Sequence, residues 1–282
     1  MRNPEKFYFK KETERKGFEI LENILEKSEK YLEKTSLFLN QKGFLVDKNC
    51  RIDLEKLKKE KKEEFSPWAV ERDQKSALQR KKEIEKEHQK LKDEKRFEEL
   101  YKEKVGEVVE RLKTISFNQF WFKEKFFALR TSLYDDYRNQ IDELILDPKK
   151  PRVIAVIDIT SKKEAQRQKG LKWLQRLKNP DSIKVEYGVF AKEVEGELKI
   201  EYRALKRIPL LILVFDESPE SLSLWLKAIE KNDEKYLQDL LKKELENLIF
   251  QCQGIQNLKH LPKELRREYQ ELAEVFSKLK EK

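Results

Sequence analysis

Two aspartates interrupt segments that otherwise read as apolar strands. Asp142 lies in QIDELIL (140–146) and Asp158 in VIAVIDIT (153–160). A carboxylate in such surroundings is tolerated only when it is paired, hydrogen-bonded or bound to a cation. A short connection carrying Asp147-Pro148 and Lys149-Lys150-Pro151 joins the two segments. If they pair as an antiparallel hairpin, the two carboxylates come close. Side chains alternate along a strand, so Asp158 shares a face with Thr160, and Asp136, Gln140 and Asp142 share another. Two adjacent carboxylates repel unless a cation lies between them. Carboxylate oxygens with retained waters suit Mg²⁺ or Mn²⁺, and such an ion can activate water and neutralise charge on a scissile phosphate. Structural readings stand beside this one. Asp142 as a strand-edge residue would face solvent or pair with Arg138, and Asp158 would cap the helix that follows Ser161. Asp135 and Asp136 lie near a turn, where Asp is common.

Elements on either side must position these residues. Asn3-Pro4 reads as a helix start. From Phe18 the apolar positions Phe18, Leu21, Leu25, Leu32 and Leu39 keep helical spacing, and Gly43 is a natural end. Residues 44–54 read as a small hairpin around Lys48-Asn49, and Asp53 reads as the N-cap of a short helix. Ser66-Pro67 restarts the helix. From there to Lys113 the chain is almost wholly charged, with a thin apolar pattern resembling a coiled coil. We expect a long antiparallel helical hairpin between residues 12–41 and 67–113, with a single projecting helix over 67–113 as the alternative. The aromatic stretch Phe120, Trp121, Phe122, Phe126 and Phe127 suits core packing better than base stacking.

Beyond about residue 114 the texture changes to short β-rich runs flanked by Pro or Gly. Besides the two aspartate-bearing runs these are IKVEYGVF (183–190), ELKIEYRAL (197–205) and IPLLILVF (208–215), with a helix over 161–179 between the second and third runs. Helices return from Ser218-Pro219 onward. The expected organisation is a charged helical extension (1–113), a mixed α/β core (114–216) and C-terminal helices packed on that core (217–282).

Composition narrows the function. The 282 residues are 41% charged and carry a net charge of +9, split evenly between 1–113 (+5) and the remainder (+4). That excess is compatible with a polyanion partner without requiring one. Only 7 glycines are present, which argues against glycine-rich nucleotide cradles. Cys50 and Cys252 make no disulfide framework, and with His88 and His260 they make no structural zinc site. The longest apolar run, Ile208 to Phe215, is far shorter than a membrane span. The opening MRNPEKFYFKK shows no secretory pattern. These features lead us to expect a cytoplasmic protein without a membrane partner, with the helices available for homodimer formation.

The run YDDYRNQIDELILDPKKPRVIAVIDIT (134–160), with its following helix and strand, resembles the core of the PD-(D/E)XK nuclease superfamily over about residues 101–215. The run is also similar to a group of uncharacterised proteins from small-genome bacteria that carry YDD-x-x-N-x-x-D followed by D-x-T. The nuclease resemblance implies a restriction-endonuclease-like α+β core with a mixed sheet. It implies that Asp142 and Asp158, with Asp136, hold Mg²⁺ or Mn²⁺, and that the chain hydrolyses phosphodiester bonds of DNA or RNA. One position departs from the pattern, because Thr160 stands where the family has its lysine. Lys162 or Lys163 is the substitute if the site is active. Glu107, Glu110 and Glu124 are candidates for the helix-borne glutamate. The competing function is a catalytically inactive nuclease-like fold that binds nucleic acid or serves as a scaffold through its helical arms.

Overall fold

A 30-residue helix, α1 (Glu12–Gln41), buries Phe18, Leu21, Ile24, Leu32 and Leu39 along one stripe, as the helical period demands. It closes with paired bonds from Phe44 N–H to the Leu39 carbonyl (3.1 Å) and from Gly43 N–H to the Asn40 carbonyl (3.0 Å). This closure needs a left-handed residue, and Gly43 supplies it at φ +91°. The computed structural model describes residues 12–281 apart from 124, 150–151, 162–169 and 216–217.

The expected turn at 47–50 is present. The Asp47 carboxylate accepts from the N–H groups of Asn49 and Arg51, and Val46 bridges to Ile52. Helix α2 (Leu54–Glu60) begins at Asp53, whose carboxylate caps the N–H groups of Glu55 and Lys56. The charged segment that follows is two helices, α3 (Pro67–Gln89) and α4 (Asp93–Ser116). This corrects the expectation of one continuous 67–113 helix paired as a hairpin with 12–41. The chain turns at Lys90–Lys92, where Leu91 N–H bonds to the His88 carbonyl, and His88 meets Glu103 across the turn at 3.3 Å. The hairpin is therefore internal to residues 67–116. Its second helix, α4, packs on α1 and buries Val105, Val108, Val109 and Leu112. A Lys104–Glu22 ion pair (2.8 Å) and a bond from Arg111 to the Leu25 carbonyl (3.2 Å) fasten the two helices together.

A π-helical turn over Phe117–Trp121 leads from α4 into the sheet. Phe120, Trp121, Phe122, Phe126 and Phe127 are all buried, so this aromatic stretch builds the core. The sheet has four strands in the order β1-β2-β3-β6, comprising β1 (Phe127–Arg130), β2 (Glu143–Asp147), β3 (Arg152–Ser161) and β6 (Leu210–Phe215). The first two pairings are antiparallel and β3–β6 is parallel. Between β3 and β6 the chain forms α5 (Gly170–Lys178) and a separate two-stranded hairpin of β4 (Lys184–Val194) and β5 (Glu197–Lys206). The order was legible in the sequence except for β1. Its FALR is too short to show a period.

Both outer edges of the sheet are closed by side-chain amides. Asn118 accepts from the Ala128 N–H (3.1 Å) and donates to the Ala128 carbonyl (2.8 Å) on β1. Gln251 does the same to Ile212 on β6, at 2.9 and 2.6 Å. Each amide replaces one residue of a missing neighbour strand, which protects an edge that would otherwise template association. Gln251 belongs to α7 (Glu234–Ile255), which with α6 (Pro219–Lys231) and α8 (Lys263–Lys280) follows β6. The Tyr269 hydroxyl of α8 also bonds to Leu210 on the same edge. The molecule is thus a mixed α+β structure, a four-stranded mixed sheet with flanking helices.

Candidate acidic site at the β2–β3 end

The β2–β3 ladder pairs Glu143 with Ile157, Leu144 with Val156 and Ile145 with Ala155. The ladder ends at Glu143–Ile157, and just beyond it Asp142 makes its contacts to Ile157 and Ile159, the residues on either side of Asp158. Asp142 precedes β2 and is anchored on both sides. Its N–H donates to the Ile157 carbonyl (3.0 Å), and its carbonyl accepts from Thr131 N–H (2.9 Å). Its carboxylate reaches across to β3, where Oδ2 accepts from Ile159 N–H at 2.5 Å. Asp142 and Asp158 are both half-buried.

A cation is tied to the segment that leads into Asp142. Arg176 on α5 donates from one terminal nitrogen to the Gln140 carbonyl (3.1 Å) and from the other to the Asn139 carbonyl (2.9 Å). Burial lowers its pKa, while Asp158 and then Asp142 act in the opposite direction. Gln140 takes a left-handed conformation, φ +53°, as the chain leaves a π-helical turn over Asp135–Asn139 and enters Ile141 and Asp142. Nothing in the amino-acid order announces Arg176, because the contact exists only once α5 folds back toward residues 139–140.

The two acidic neighbours in YDD have other tasks. Asp135 is wholly buried, and its carboxylate accepts from Ser132 Oγ (2.8 Å), Asn139 Nδ2 (2.6 Å), Glu186 N–H (2.7 Å) and Tyr187 N–H (3.1 Å). It pins the start of β4 to the turn before Asp142. Serine three residues before and asparagine four residues after were the visible signals for the local half of this set. Asp136 forms an ion pair with Arg51 (2.8 Å) within a buried charge network. Arg51 also meets Glu110 (3.2 Å), and Arg130 meets Glu107 and Glu110. Burial works to raise the Glu107 pKa, but Arg130, Arg111 and Arg51 outweigh it and hold the group at about 2.

Among the described residues, no three His, Cys, Asp or Glu side chains gather in a way that could hold a metal ion. Asp136 therefore does not complete a ligand triad with Asp142 and Asp158, and its carboxylate serves Arg51. Glu107 and Glu110 serve the arginines. Lys162, Lys163 and Glu124 lie outside the described residues. Arg138 donates to the Ser76 hydroxyl and carbonyl. Both thiols are buried, and burial pushes the pKa of Cys50, and that of Cys252 to about 12, well above the ordinary thiol value. Neither is a nucleophile at neutral pH.

Comparison with protein-family models, curated proteins and solved structures finds no match to this chain. No helix among the described residues is long and apolar enough to cross a membrane.

Proposed function

We propose that the chain is a metal-dependent nuclease of PD-(D/E)XK-like design, hydrolysing phosphodiester bonds of DNA or RNA at Asp142 and Asp158. The observation that supports this reading is that Asp142, directly before β2, donates its N–H to the Ile157 carbonyl and accepts the Ile159 N–H at its carboxylate, on either side of Asp158. The element order supports it. Helix α4, the antiparallel strands β1, β2 and β3, then α5 and a strand β6 parallel to β3 accord with the elements that the resemblance implies, although the next strand after α5, β4, lies with β5 in a separate hairpin interposed before β6.

Two carboxylates fit a magnesium-type ion, which keeps several waters and binds through one or two carboxylates together with substrate phosphates. Asp142 and Asp158 would hold it, with one Asp142 oxygen fixed by Ile159 N–H. When bound, such an ion acidifies a water and offsets phosphate charge. In the hydrolysis, the water oxygen bonds to phosphorus, the bond to the leaving oxygen breaks, and that oxygen takes a proton. Lys162 or Lys163 is the proposed stand-in for the lysine absent at Thr160.

A second reading, a nucleic-acid-binding module without chemistry, is favoured by two observations. A guanidinium is already tied to the Asn139 and Gln140 carbonyls just before Asp142, and no third acidic, His or Cys ligand gathers there among the described residues. The deciding experiment is cleavage of labelled single- and double-stranded DNA and RNA with Mg²⁺ or Mn²⁺, comparing wild type with Asp142→Asn and Asp158→Asn, alongside Mn²⁺ calorimetry. Metal-dependent cutting lost in both variants supports hydrolysis. Binding of an oligonucleotide with neither cutting nor Mn²⁺ uptake selects the second reading.

A further inference from the structure

We propose that Arg176 is the phosphate-contacting residue of the acidic site, its guanidinium held by the Asn139 and Gln140 carbonyls so that it meets the phosphodiester group beside Asp142 and Asp158. The inference rests on the nucleic-acid reading above and gives it a residue that the sequence pattern did not supply.

The reasoning is electrostatic and geometric. A carboxylate-bearing site that admits a phosphate anion needs fixed positive charge close by. With Thr160 in the lysine position, that charge does not come from β3 at residue 160. Arg176 is tied to the carbonyls of residues 139–140, immediately before Ile141 and Asp142, within the electrostatic reach of Asp158 and Asp142. The tie fixes the guanidinium plane in advance, so little rotamer freedom is lost when substrate arrives. A guanidinium has five N–H donors in a planar fork that matches phosphate oxygens. Arg176 is half-buried, so its charge is reachable yet less screened than that of exposed Lys172 on the same helix. An arginine stays protonated, so Arg176 positions and neutralises phosphate and does not deprotonate water.

The test uses the full chain with Arg176→Met, Arg176→Lys and Lys172→Met. Fluorescein-labelled DNA and RNA oligonucleotides, single- and double-stranded, are titrated in EDTA over a range of salt, then assayed for cutting with Mn²⁺. For Arg176→Met we expect about 10-fold weaker binding and a loss of about one from the slope of log K against log salt. We expect cutting to fall by about 100-fold or more. Arg176→Lys should restore the salt slope but only part of the cutting, and Lys172→Met should leave cutting unchanged. A purely structural role would lower the melting temperature of Arg176→Met without moving the salt slope. Should that variant not fold, Arg176→Gln keeps an amide donor toward the carbonyls without the charge.

Cutting by wild type that Arg176→Met retains in full, with an unchanged slope, overturns the Arg176 assignment and leaves the nuclease reading intact. No cutting by wild type, with binding whose slope drops in Arg176→Met, overturns the nuclease reading and keeps the assignment. Absence of both binding and cutting overturns both. The DNA and RNA arms identify which backbone the site accepts.

Discussion

Lys113 of α4 and Glu143 of β2 form an ion pair, Nζ to Oε2 2.8 Å, with side chains 0% and 1% exposed. The contact is Coulombic rather than a well-aligned hydrogen bond, since neither atom has a hydrogen-bond partner. Thr114 Oγ1 donates to the other Glu143 oxygen at 3.0 Å. Glu143 follows Asp142 directly, so the pair ties α4 to the sheet at the residue next to Asp142.

Breaking this pair on one side leaves an uncompensated buried charge. Lys113→Met is expected to lose about 3–5 kcal/mol of stability in urea unfolding. The double variant Lys113→Met/Glu143→Leu should recover most of that loss, because two desolvated ions are exchanged for apolar contacts. A double variant no more stable than the single one would refute the Coulombic account.

Asp135 should be indispensable to the fold rather than to chemistry. Asp135→Ala orphans the buried N–H groups of Glu186 and Tyr187 together with the Ser132 and Asn139 donors. A loss of about 3 kcal/mol or more is expected. Hydrogen exchange should locate the loosening at the start of β4 and in the 135–139 turn.

The edge amides lend themselves to a paired experiment. Gln251→Leu leaves the Ile212 N–H and carbonyl without their partner, and Asn118→Leu does the same to Ala128. Each is expected to cost about 2 kcal/mol and to raise the tendency to associate at that edge. Light scattering during mild heating reads the second effect, and unchanged scattering for both variants would count against edge protection.

Glu244 on α7 gives a pH signature. Burial raises its pKa to about 7, against the lowering effect of Lys243 and Lys113, and Oε2 has no hydrogen-bond partner. The folded state thus holds this proton more tightly than the unfolded chain does. Stability should fall as pH rises from about 4.5 to about 7, the reverse of the usual carboxylate trend. Glu244→Gln should remove that slope and exceed wild type at pH 8 by at most about 3 kcal/mol. The two proteins should converge below about pH 4.5. Parallel pH profiles would show that Glu244 is not the titrating group.

Much of the element order could be read directly from the chain. Pro67 and Pro219 start helices, Asp53 caps one, Gly43 ends one, and the five β-rich runs all became strands. These signals are local, set by backbone preference and hydrophobic period over a few residues. The strand β1 and the break at Lys90–Lys92 escaped notice. Four residues cannot show a period, and a turn inside a charged run has no apolar neighbours to mark it.

The amino-acid sequence alone determined two consecutive strands carrying an aspartate within or beside them, Asp158 inside β3 and Asp142 directly before β2, because the apolar residues around them leave the backbone little choice. Tertiary structure alone decided what surrounds them. Asp136 went to Arg51, Asp135 to the backbone of β4, and Arg176 came to residues 139–140 from a helix more than 30 positions away. Charged side chains find partners by proximity after the elements pack. With 41% of the chain charged, many pairings are chemically acceptable, and only the assembled geometry selects among them.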